Sequence, residues 1–179
     1  NRDRLRDRGA LHPVNIVGLL GTAAFVGLHY LQTAVWYDGL AQDTSVFSSQ
    51  LSVIFLLVIV LIMEAPRRGI AFGHGGRWLA PARQWLIRYH GYYFAWAVVY
   101  TYWFHPMETT PGHLTGFFYT FLLLIQGAFV FTRVHTNRWW TAILEVSVLA
   151  HGVTVAVVAG QEFWPMFFFG FAALFVVTQ

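Results

Sequence analysis

Apolar residues fall into six long runs separated by short polar stretches, at about 13–36, 46–63, 87–104, 114–132, 139–159 and 163–177. Most span 18 to 24 residues, and the last is shorter. At 1.5 Å of rise per residue, such runs cross a hydrocarbon layer of roughly 30 Å as helices. Within lipid a lone segment satisfies its backbone polar groups only as a helix. The pattern therefore predicts an all-α integral membrane protein. It would be a single transmembrane helical domain over 13–179, a bundle of about six transmembrane helices, behind a charged leader at 1–12.

The longest polar connection lies between the second and third runs. We expect an interfacial segment over 65–86, in which Trp78, Leu79, Trp85 and Leu86 alternate with arginines as in a short helix lying at the membrane surface. Its glycine-rich stretch, Phe72-Gly73-His74-Gly75-Gly76-Arg77, lacks a preceding strand and the spacing of a phosphate-binding loop. It reads as a turn.

Charge orients the bundle. Arg2, Arg4, Arg6 and Arg8 lie in the leader, Arg67, Arg68, Arg77, Arg83 and Arg88 in or beside the long connection, and Arg133 and Arg138 around the fourth-to-fifth turn. The alternate connections, 37–45, 105–113 and 160–162, hold none. Positive loops stay inside, so the N-terminus is expected in the cytoplasm, in a bacterial or archaeal inner membrane. This distribution explains the net charge of +3 by topology, and no nucleic-acid partner is expected.

Composition agrees, and it narrows the chemistry. Only 11% of residues are charged, against roughly a quarter in soluble domains. The chain has no cysteine, which removes thiolate metal sites, c-type haem attachment and disulfides. It has no lysine either, which removes Schiff-base cofactors. A start without Met and an end inside an apolar run lead us to expect part of a longer protein.

Histidines and carboxylates inside apolar runs are costly and mark candidate function. His29 and His151 each lie about 10–12 Å below the outer boundary, on the first and fifth runs. Asn15, Gly18, Thr22, His29 and Thr33 form one helical stripe, and Ser147, His151 and Thr154 another. Small and hydroxyl residues in stripes mark helix–helix interfaces, so both imidazoles should point inward. Above them lie His105, Glu108 and His113 in an outer loop.

On the inner side, Glu145 sits about 9 Å deep. We expect it protonated, or paired with His90, Arg138 or a cation. Glu64 should pair with Arg67 or Arg68. Gln126 reads as glue between helices.

Imidazole and carboxylate together are ligands for copper, iron or zinc. His29, His105, Glu108, His113 and His151 are the candidate metal ligands. His29 and His151 alternatively bind one b-type haem as an axial pair, while the histidine spacings do not suit two haems. Glu108 and Glu145 are the candidate catalytic carboxylates, with Glu145 handling protons.

The leading expectation is a metal- or haem-binding oxidoreductase, or its membrane subunit, acting on a lipophilic small molecule such as a quinone. The alternatives are a non-catalytic subunit of a larger membrane complex, or a small proton-coupled transporter. Partners would be the lipid bilayer and other membrane subunits or further copies of the chain.

Overall fold

A computed structural model describes residues 9–35, 46–103, 111–158, 160 and 164–177. Among them every regular element is helical: α1 (Pro13–Val35), α2 (Val46–Arg68), α3 (Ala80–Trp103), α4 (Pro111–Ala128), α5 (Arg138–Val158) and α6 (Trp164–Val177). Short 3-10 turns at Arg77–Leu79 and Val134–Thr136 precede α3 and α5. Two of the helices, over Pro13–Leu31 and Arg138–Val158, are long and apolar enough to cross a membrane.

Helix α4 is the hub. It packs against α1, α3 and α5, while α2 lies on α3 and α6 on α5. The ends of α2, α4 and the starts of α1, α3 and α5 gather at one end of the bundle, called here the arginine end.

The helix boundaries have local causes. Pro13 and Pro111 occupy the first position of α1 and α4, where proline's fixed φ suits the helix and its missing N–H is no loss. Asn137 caps α5, its Oδ1 accepting from the backbone N–H of Trp139 at 2.9 Å and of Trp140 at 3.2 Å. Helix α2 runs five residues past the expected end at Met63, through Pro66, and stops where Gly69 takes a φ of 76°. A Cβ on Gly69 would come within 2.6 Å of the Gly73 backbone, so only glycine fits there.

The connection to α3 is shorter than expected. Residues 65–68 belong to α2, and α3 is continuous from Ala80, so Trp85 and Leu86 lie within α3 rather than in a separate surface helix. The rest folds into a tight turn, with the His74 N–H bonded to the Ala71 carbonyl at 3.0 Å. Its two central residues, Phe72 and Gly73, have φ of 49° and 75°. Such turns favour Asn-Gly; a bulky residue there stores about 1–3 kcal/mol of strain.

One buried side chain ties the start of α1 to the end of α4. Asn15 is fully buried; its Oδ1 accepts from the His12 N–H at 2.9 Å. Its Nδ2 donates to the carbonyls of Ala128 (2.8 Å) and Val130 (2.7 Å), close to where α4 ends. Terminal carbonyls have no partner within their own helix, so Asn15 closes two helix ends at once. One turn further, a Cβ on Gly18 would meet the Ala128 Cβ at 3.2 Å, so the two backbones approach closely.

Candidate functional site

Two groups of polar side chains flank α4, one at each end. At the arginine end, Arg68 and Glu145 form an ion pair between α2 and α5. Around it, Arg67 Nη2 lies 2.5 Å from Glu64 Oε2 and 3.9 Å from Glu145 Oε1, and Arg68 Nη1 lies 3.7 Å from Glu64 Oε2. The four charges sum to zero. Arg68 is the buried member, 7% exposed, and Glu145 is 23% exposed.

Of the partners expected for Glu145, neither His90 nor Arg138 takes it; Arg68 does. Glu64 pairs with Arg67 as expected. Removing one partner from a buried pair leaves an uncompensated charge and costs about 3–5 kcal/mol.

Beside this cluster lies a neutral network. Gln126 Nε2 donates to the His135 carbonyl at 3.0 Å, and His135 Nδ1 donates to the Gln126 carbonyl at 3.0 Å. Trp140 Nε1 donates to Gln126 Oε1. Gln126 thus joins α4 to the turn before α5 and to α5 itself. The His135 ring is 5.8 Å from the ring of His90, whose Nδ1 donates to the Ile87 carbonyl at 2.7 Å. Burial first, and then the neighbouring His90, hold His135 below its ordinary pKa, against the opposing effect of its bond to Gln126.

At the far end His29 and His151 do not meet. The His29 ring rests on Phe117 with centroids 5.0 Å apart, whereas His151 Nδ1 lies 3.4 Å from Thr115 Oγ1. Thr115 and Phe117 are two positions apart, roughly 200° around α4, so the imidazoles lie against opposite sides of that helix. An axial pair around one haem does not follow from this placement.

The Thr115 hydroxyl points its proton at the Pro111 and Gly112 carbonyls, 2.8 and 3.0 Å away.

His113 lies in the first turn of α4 rather than in a loop. Four residues before Phe117, it shares the face of α4 that His29 touches. His105 and Glu108 lie outside the described residues. Among the described residues no group of three or more histidines and carboxylates is placed to hold a metal ion.

The sequence pattern missed Trp140 as a hydrogen-bond donor to Gln126. It also left Arg68 unassigned between Glu64 and no partner. The signal for Arg68 was faint: two consecutive arginines after Glu64, of which one carboxylate can neutralise only one.

Compared with family models, curated proteins and solved structures, the chain matches none.

Proposed function

We propose that the chain is an integral membrane protein of six spanning helices with its arginine end in the cytoplasm, serving as a non-catalytic helical subunit of a larger membrane assembly. Support for the membrane reading comes from the two apolar helices long enough to span and from the large apolar side chains exposed along α1, α2 and α5. Exposed apolar faces of this extent suit lipid or a neighbouring membrane chain.

The observation that carries the non-catalytic reading is the Arg68–Glu145 pair. The carboxylate with the strongest claim to proton chemistry is held as a latch between α2 and α5. Gln126, His135, Trp140 and Asn15 are likewise engaged in contacts that join elements. The test is purification in mild detergent from native membranes, followed by absorption and elemental analysis. Stable co-purifying membrane proteins, with neither a haem band nor stoichiometric metal on this chain, are the expected result. A metal or haem that stays with the chain alone overturns it.

A metal- or haem-dependent oxidoreductase component is the second reading, and one observation favours it. His29 and His113 share a face between α1 and α4. On this reading His113→Ala lowers metal occupancy at least as strongly as His151→Ala.

A further inference from the structure

Among the described residues, both non-glycine residues with positive φ are phenylalanines, and both lie in loops at the arginine end. Phe72 (φ 49°) sits between α2 and α3, and Phe131 (φ 66°) between α4 and α5. A bulky side chain rarely holds this conformation unless something outside the turn compensates. Neither ring is packed into the bundle: Phe72 is 80% exposed and Phe131 45%. Trp78, in the first of these connections, and Trp139, in the first turn of α5, are 80% and 68% exposed. Four aromatic rings thus project from the one end of the molecule where the sequence has its arginines.

The arginines there divide into two sets. Arg67 and Arg68 are neutralised by Glu64 and Glu145. Arg77, Arg83, Arg88, Arg133 and Arg138 have no carboxylate within ion-pairing distance among the described residues. Arg83 uses its Nε on the Met63 carbonyl at 2.8 Å, leaving its charge uncompensated. Arg88 and Arg138 lie over the rings of Tyr89 and Trp139, at 5.6 and 5.1 Å. The two loops belong to one surface, since the His90–His135 contact and the Arg68–Glu145 pair link their flanking helices.

We propose that this end is a binding surface for anionic phospholipid headgroups of the adjacent leaflet, with Phe72 and Phe131 inserted at the headgroup–acyl boundary and Arg77, Arg83, Arg88, Arg133 and Arg138 around the phosphates. Charge complementarity selects this occupant: five guanidiniums with no carboxylate partner among the described residues, together with projecting aromatics, suit a phase with phosphate above hydrocarbon. Insertion gives the strained rings an apolar environment that the bundle itself does not supply. The proposal rests on the membrane reading above.

The test uses the full chain, extracted in detergent and offered equal amounts of phosphatidylglycerol and phosphatidylcholine, with retained lipid counted by native mass spectrometry. Wild type should retain the anionic lipid over the zwitterionic one by at least about tenfold, since each arginine near the surface favours it by about 1 kcal/mol. The R77Q/R83Q/R88Q variant, which keeps Arg133 and Arg138, should lower the ratio at least severalfold. F72G/F131G relieves both strained positions, so it should melt no lower than wild type in detergent yet retain less lipid of both kinds.

Equal retention of the two lipids by wild type, or an unchanged ratio in the arginine variant, overturns the proposal. Carbonate washing of native membranes reads the underlying assumption separately. A chain that stays in the pellet but shows no lipid preference refutes this surface alone, and a chain washed free refutes the spanning bundle as well.

Discussion

The two ends of α4 handle polar groups in opposite ways. At the arginine end each deep polar side chain meets a complementary one on another element: Glu145 meets Arg68, Gln126 meets Trp140 and His135, and Asn15 meets the last carbonyls of α4. At the far end, His29 lies against a phenylalanine ring and His151 against a hydroxyl at 3.4 Å. The difference teaches where stability and where chemistry should be sought. Short, charge-assisted and multiply bonded contacts hold helices together. His29 and His151, on either side of the start of α4, are the groups to probe for ligand binding.

The comparison breaks first at the ion pair. Glu145→Ala should destabilise the protein in detergent by up to about 3 kcal/mol, because buried Arg68 loses its nearer counter-charge and keeps only Glu64 at 3.7 Å. The double replacement Glu145→Met with Arg68→Met should recover much of that loss. Equal damage from the single and double variants in thermal unfolding would show that the pair is not the latch described.

Asn15→Ala comes next, at about 2–3 kcal/mol, since it strands two carbonyls at the end of α4 and uncaps α1. Its unfolding midpoint should fall clearly below that of Thr22→Ala on the same stripe. If the two variants melted together, the joint between α1 and α4 would carry no special weight.

The far end should respond least. Thr115→Val removes the long contact to His151 and the hydroxyl's bonds to carbonyls of its own helix turn, and should change stability by about 1 kcal/mol. A loss as large as that of Asn15→Ala would erase the contrast between the two ends.

A smaller, conditional effect sharpens the picture at His135. Its folded-state pKa is lowered by burial and by His90, so the unfolded chain binds the proton more readily. The stability linked to this residue is therefore fully present above the ordinary histidine value of 6.5 and is lost as pH falls from there through the lowered value. Replacement by Gln should flatten unfolding free energy against pH in that window. A wild-type profile unchanged below pH 6.5 would contradict the shift.

Part of this was legible along the chain. The stripe Asn15, Gly18, His29 does face a neighbouring helix, as its small and polar residues imply. Gln126 does join helical elements. The start of α1 at Pro13 was read correctly, whereas α4 begins at Pro111, three residues before the expected Leu114, and α5 at Arg138 behind its cap Asn137, one residue before the expected Trp139. Less legible were the ends near Arg68 and Ala80, where α2 continues through Pro66 and α3 takes in Trp85. Arginine and tryptophan with long apolar bodies fit a helix end as well as a surface segment, so hydropathy alone sets no sharp limit.

By itself, then, the sequence determined an all-helical chain, with charge gathered at one end and polar stripes on particular helix faces. These properties depend on residues within a few turns of one another. Only the tertiary structure decided that Glu145 meets Arg68, 77 positions away, that Asn15 closes α4 from 113 positions away, and that His29 and His151 are divided by α4. A helical stripe tells which face is inward but not which neighbour that face meets. That choice is made jointly, as α1, α3 and α5 pack on α4, α2 on α3 and α6 on α5.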